Sequence, residues 1–429
     1  MRIHRLDWLL LSMLISPVLI PMGGKALKFY WSDLVVFFLT CLLITEYIAS
    51  HQIQLRVHKI VVWMIALSLL ILTTMPDAYN IFFSLLNAKI FIAPFLVFII
   101  AYSSLKNTDY NDHIVFMLVI IAWYFCITAL YNWNQFITGK AVLQYGFGPK
   151  DMIQNAIGRS NSVAGVCALL LPFGLYVGWG KSKYFKLFSG ATIIILLITI
   201  MFAMSRASIL AAFTGFLVCL FLGAIFGKTS KIKKGIIVSV TGVLLVVISL
   251  ISGLIIFLPQ SLQFTLLGHL FKAQSIVSSG VQSDARLATW STALSNINTP
   301  FGIGLGNFTQ FINQYKANNY LIAETAHNMF LEIFIELGVL GLFFLLVILL
   351  YYGVILAKSI KYAQSEKDRR LAICIAMSYA IYLVNVFFEP NYYSPTFTYL
   401  FSIMMAMAFV ISESACSRTT CRRSIHSND

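Results

Sequence analysis

The chain has 429 residues, 59% of them hydrophobic and only 11% charged, where a soluble domain carries roughly a quarter charged residues. With a mean hydropathy of +0.84, this excludes a cytosolic globular enzyme and a disordered chain and leaves a polytopic membrane protein. The net charge of +14 reads as an orientation signal rather than a nucleic-acid footprint, because the chain has no soluble basic domain.

Apolar runs of membrane-spanning length recur along the chain, at 6–22, 34–50, 59–75, 81–102, 113–137, 162–179, 187–204, 207–226, 235–258, 328–357, 371–388 and 393–413. The expected fold is an all-α integral membrane protein of about twelve transmembrane helices. Asn87, Lys89 and Pro94 interrupt the fourth span. Little more than Ser205-Arg206 separates the seventh from the eighth, which predicts a tight helical hairpin. The N-terminus, with Arg2 and Arg5 ahead of the run from Trp8, is read as an uncleaved span, because Pro21-Met22-Gly23-Gly24-Lys25 lacks a small-x-small cleavage site.

The basic residues set the orientation. With both termini inside, twenty of the thirty fall on the inner side, nine on the outer side, and Lys89 lies within a span. The expectation is a single polytopic domain over 1–429 with both termini cytoplasmic and a polar tail at 414–429. The seven cysteines lie in spans or near the tail. They imply no disulfide framework and no zinc site, and each reads as a small buried hydrophobe.

Two outer loops are long. One runs from about 138 to 161. The other, 259–327, joins spans nine and ten and reads as folded. Ser283-Asp284 is a plausible N-cap for a helix with an apolar stripe at Leu287, Trp290, Leu294 and Ile297. Thr299-Pro300 stops that helix, and Gly302, Gly304 and Gly306 form a turn rather than a dinucleotide fingerprint. Phe308, Phe311, Ile312 and Tyr315 suggest a second short helix.

Chemistry-bearing residues gather toward the outer side. His327, where the long loop enters the tenth span, is either a base or a helix-capping, interfacial histidine. Arg206 begins a span and Arg286 begins the loop helix; Arg159 lies in the shorter loop. A guanidinium near a helix N-terminus opposes the dipole, which a bound anion would offset. The alternative is snorkelling or pairing with a nearby acid. Glu332 and Glu336, four residues apart in the tenth span, are intramembrane carboxylates that need partners, with Lys89 or either arginine as candidates. Tyr392-Tyr393 and Tyr131-Asn132-Trp133 could stack on sugars. No carboxylate cluster suited to a divalent ion occurs in an outer loop.

His327-Asn328 with Leu331, Gly338 and Gly341 resembles the signature of the O-antigen ligase and polymerase superfamily. So does Asp284-x-Arg286-x3-Trp290-x2-Ala293-Leu294 leading to Pro300 and on to Asn307-Phe308. The Ser205-Arg206 hairpin and a large outer loop before the last three spans are similar to that family too. The resemblance implies a multi-pass glycosyltransferase of the bacterial inner membrane, acting on its periplasmic face. It implies a glycan donor carried on undecaprenyl pyrophosphate, no cofactor and no metal. Arg206 and Arg286 would hold the pyrophosphate, with Arg159, Glu332 and Glu336 as secondary candidates, and His327 would activate or orient the acceptor hydroxyl. Ligases transfer to lipid A–core, polymerases to a second lipid-linked glycan, and other members to proteins. One large loop and a compact chain favour a ligase, while the 138–161 loop with Arg159 keeps the polymerase open. A lipid-linked oligosaccharide flippase would spread its charges across the bilayer, whereas here they cluster at the outer end.

Overall fold

The computed structural model describes residues 5–15, 18–22, 25–50, 59–76, 78, 80–105, 111–138, 153, 160–179, 182–226, 285–297, 301–315 and 325–426. The expected span at 235–258 and the loop residue Arg159 lie outside the described residues. The fold is a bundle of apolar helices, eight of which are long and apolar enough to cross a membrane among the described residues.

The helices follow the expected order: α1 (Arg5–Ser12), α2 (Trp31–Ser50), α3 (Lys59–Thr73), α4 (Ile81–Leu105), α5 (Asn111–Ile137), α6 (Ser160–Gly178), α7 (Lys183–Phe202) and α8 (Arg206–Phe226). Two short helices of the long loop come next, α9 (Ala285–Asn296) and α10 (Phe308–Asn313). Then follow α11 (Met329–Tyr362), α12 (Glu366–Phe388), a single 3-10 turn (Asn391–Tyr393) and α13 (Pro395–His426).

The structure departs from expectation at the N-terminal end. The run expected to be one span at 6–22 is α1 followed by an antiparallel hairpin, with Val18 opposite Phe29 and Met22 opposite Lys25. The sequence explains it: Pro17 and Pro21 are poor helix interiors, and Gly23-Gly24 is a two-residue hairpin signal. At the C-terminus, α13 continues to His426, through most of the polar segment 414–429. No glycine or proline follows Pro395 within that helix to stop it.

Burial separates the helices into two classes. Of the spanning window of α6, 83% is buried, and of α13, 89%, against 33% of α8. The first two form the centre of the bundle. Exposed Phe37, Phe38, Leu42, Phe221 and Leu350 would be an aggregation surface in water and suit the hydrocarbon of a bilayer. Because lipid tails are as apolar as leucine, the helices are tied by packing and by hydrogen bonds to backbone carbonyls. Ser378 donates to the Leu169 carbonyl at 2.9 Å, Ser359 to Ala408 at 2.7 Å and Tyr379 to Leu349 at 2.7 Å.

Helix α11 is broken at Gly338, whose φ of 69° and ψ of −166° are not helical. The piece after the break, 339–362, is by itself long enough, at about 1.5 Å per residue, to cross a hydrocarbon core about 30 Å thick. The preceding piece carries Glu332 and Glu336 at one end of the bundle, alongside the starts of α2, α4, α6, α8 and α13.

Candidate active site

The break in α11 leaves carbonyls without helical donors, and the glycine turn supplies them. The Ile303 amide donates to the Ile335 carbonyl at 3.1 Å and the Gly304 amide to the Glu336 carbonyl at 2.9 Å. Gly302, at φ +82°, lies so close that a Cβ there would come within 2.4 Å of the Glu336 backbone. The turn is anchored on α4 through Asn307, whose side-chain amide donates to Ser84 at 2.8 Å and whose Oδ1 accepts from the Asn80 amide at 3.0 Å. The three glycines therefore form the tight turn expected.

Both carboxylates of α11 are buried, but neither uses the expected cationic partner. Glu332 accepts from the Tyr393 hydroxyl at 2.5 Å, and Glu336 accepts from the Phe308 amide at 3.0 Å, at the start of α10. An amide at a helix N-terminus favours a carboxylate. Lys89 instead pairs with Asp33 at 2.9 Å.

Helix α9 lies within the segment where the sequence predicted it, but it is rotated. Thr289 and Ala293 are buried, while Leu287 and Leu294 of the predicted stripe are 42% and 50% exposed. Two polar anchors one turn apart set the rotation. Arg286 Nη2 donates to Glu389 Oε1 at 3.0 Å, and Trp290 Nε1 donates to the Ala326 carbonyl at 2.6 Å.

Glu389 follows the end of α12 and is the centre of the site. Besides Arg286, its Oε2 accepts from the Asn161 side-chain amide at 2.8 Å and lies 3.4 Å from Nδ1 of His327. Burial would raise the Glu389 carboxyl pKa, but the His327 hydrogen bond and the nearby Arg286 guanidinium outweigh it and hold the group below its ordinary value. Glu389 is therefore ionised at neutral pH.

His327 adopts φ 51°, a left-handed conformation uncommon for a side-chain-bearing residue. The capping of α11 falls to its neighbour: Asn328 Oδ1 accepts from the Leu331 amide at 3.0 Å. The imidazole is thereby left for Glu389.

Arg206 begins α8 after a sharp turn in which Met204 has φ 50°. Helices α7 and α8 diverge from this turn instead of forming the tight hairpin expected, and α8 runs along α12. Arg206 is exposed. Its neighbours reach the site through a polar chain: Ser205 donates to Ser208, and Ser208 to Asn385 Oδ1, both at 3.1 Å. The same Asn385 oxygen accepts from Asn391 at 3.3 Å, and Asn391 also donates to the Asn161 carbonyl at 3.3 Å. Arg286 and His327 thus meet on Glu389, and the start of α8 is tied to the same cluster. Among the described residues no three His, Cys, Asp or Glu side chains gather as a metal site.

Sequence reasoning missed Glu389 and Asn161. The signal for Glu389 was present: an acid between two spans, in Phe387-Phe388-Glu389-Pro390, must face a protein interior and take a partner.

The fold and this end of the bundle define a polytopic all-α membrane protein whose polar cluster joins an arginine, a histidine and a carboxylate. Residues 191–346 match the family described as O-antigen ligase. That segment carries Arg206, Arg286, His327, Glu332 and Glu336, and the match supports a glycosyltransferase-like membrane enzyme of the O-antigen ligase and polymerase superfamily. Glu389 and Asn161 lie outside the matched stretch. No curated protein matches the chain.

Proposed function

We propose that the protein is an O-antigen ligase, moving a glycan from undecaprenyl pyrophosphate to lipid A–core on the periplasmic face of the inner membrane. The observation that carries this reading is the junction of Arg286 and His327 on one ionised carboxylate, Glu389. An ionised carboxylate only accepts hydrogen bonds. Nδ1 of His327 must therefore carry the proton, and in the neutral ring Nε2 is left as an acceptor. That is the tautomer a general base needs.

The acceptor hydroxyl oxygen attacks the anomeric carbon and its proton passes to Nε2 of His327. The bond from that carbon to the pyrophosphate oxygen breaks, and polyprenyl pyrophosphate departs with the electron pair. Attack opposite the leaving group inverts the carbon. Arg286 and Arg206 neutralise the charge that develops on the pyrophosphate, the task that a metal performs elsewhere. Arg286 remains 33% exposed beside its carboxylate, so a ligand can reach it.

Lipopolysaccharide from a deletion strain, resolved on a gel, tests the acceptor. Loss of a ligase leaves core lipid A bare while long polymer accumulates on undecaprenyl pyrophosphate. A core carrying a single repeat would instead make the protein a polymerase of the same superfamily. An unchanged gel would refute both acceptors.

A further inference from the structure

Across the 3-10 turn from Glu389 lies a cavity of about 250 Å³ that the reaction scheme above does not use. It opens among the first turns of α2, α4 and α13. Its walls include the rings of Tyr30, Tyr392 and Tyr399 and the polar groups of Asp33, Asn87 and Lys89. The turn between this cavity and Glu389 is short, because the Tyr393 amide donates to the Pro390 carbonyl at 3.1 Å. Such a turn holds its end Cα atoms within about 7 Å of each other. Tyr393, on the cavity wall, hydrogen-bonds Glu332 in the first turn of α11, immediately after His327 and Asn328. The cavity wall is therefore joined through Tyr393 to the first turn of α11, which follows His327.

Its chemistry is charge-balanced. Lys89 Nζ lies 2.9 Å from Asp33 Oδ2 and 5.9 Å from the centre of the Tyr30 ring, while the Tyr399 hydroxyl donates to Asp33 Oδ1 at 2.5 Å. An anion would find its cation already neutralised. An aliphatic chain would leave the carboxylate and ammonium without water or partner, which is costly. A pyranose fits both demands: its C–H faces lie on tyrosine rings and its hydroxyls exchange hydrogen bonds with a carboxylate, an amide and an ammonium. Lys89 is 40% exposed and so accessible to it. The volume lies below the roughly 300–1,000 Å³ of drug-sized pockets, which suits one sugar ring rather than an extended chain.

We infer that this cavity is a subsite for a single neutral sugar ring of the acceptor glycan, holding the acceptor so that its hydroxyl faces His327. The assignment to the acceptor rests on the transferase reading above; the binding of a sugar does not.

The test uses the full chain purified in detergent micelles, with the methyl glycosides of glucose, galactose, rhamnose and N-acetylglucosamine as probes in saturation-transfer NMR. At least one probe should bind the wild-type protein. Leu86 and Ile90 also line the cavity; Leu86→Trp fills it without altering Lys89 or Asp33 and should weaken that binding by at least about tenfold, a loss of about 1.4 kcal/mol. Ile90→Phe is the milder filling variant should Leu86→Trp fail to fold. His327→Gln should leave probe binding unchanged. If no probe binds, or if neither filling variant affects binding, the subsite is overturned. Kinetics on the same preparations, with a polyprenyl-pyrophosphate-linked glycan as donor, decide whose ring it holds. A raised KM for acceptor with an unchanged KM for donor supports the assignment, and the reverse overturns it. Probe binding without any transfer by the wild-type protein would refute the transferase reading and the acceptor assignment with it, and leave the sugar site standing.

Discussion

Nδ1 of His327 faces Oε2 of Glu389 at 3.4 Å, although the two residues are 62 positions apart and belong to opposite ends of the helical pair α11 and α12. The first follows the long loop and the second follows a span, so the contact fixes the loop onto the bundle. Glu389→Gln keeps the size of the side chain but can present an N–H to the imidazole in place of a charge. The wrong tautomer of His327 would then be favoured, and transfer should fall by about 10²-fold, within the range of general-base assistance. Steady-state transfer by the purified variant checks this, and an unchanged rate would detach Glu389 from the chemistry.

The same carboxylate predicts a pH dependence of stability. Its folded pKa lies below the ordinary 4.5, so its contribution is fully present above that value and lost as pH falls through the folded pKa. Thermal unfolding of wild type and Glu389→Gln in detergent should therefore differ at neutral pH and converge in acid. A gap that stays constant down to the folded pKa would contradict the ionised state assigned to Glu389.

Arg286→Lys should lose most activity, because an ammonium cannot reproduce a planar fork that meets a carboxylate and a diphosphate together. Arg206 is exposed, so Arg206→Ala should leave the unfolding midpoint nearly unchanged, within about 0.5 kcal/mol. Its effect should fall on the KM for the polyprenyl-pyrophosphate-linked donor. An unchanged donor KM would remove Arg206 from the site.

Gly338→Ala tests the scaffold. Its φ of 69° and ψ of −166° belong to a region essentially reserved for glycine, at a cost of order 1–3 kcal/mol for other residues. The unfolding midpoint should drop, and the glycine turn should loosen from α11 because its amides bond the carbonyls released by the break. A midpoint equal to that of wild type would show that the break is not required.

The spans were legible because hydropathy alone marks a helix that must satisfy its own backbone in lipid. The run from Trp8 misled because its apolar residues matched a span while Pro17 and Pro21 denied it a helix. For α9, the helix was written in local residues but its rotation was not. Leu287 and Leu294 formed the more apolar stripe, and the helix turned instead on hydrogen bonds from Arg286 and Trp290 to partners 103 and 36 residues away. Arg286 and His327 stood out by residue type and spacing. Their shared carboxylate did not, because its meaning depends on which distant loop folds against it. The partners expected for Glu332 and Glu336 failed for a similar reason: a tyrosine hydroxyl and a helix-terminal amide, rather than Lys89 or an arginine, supply hydrogen bonds to these buried carboxylates.

The central claim is that His327 removes the acceptor proton. Gln can still hydrogen-bond but is not a base, so the decisive measurement is the transfer rate of purified His327→Gln with a polyprenyl-pyrophosphate-linked glycan as donor. The account predicts a rate lower by about 10²–10⁴-fold with donor binding unchanged. Transfer near the wild-type rate would contradict it and leave His327 a structural residue.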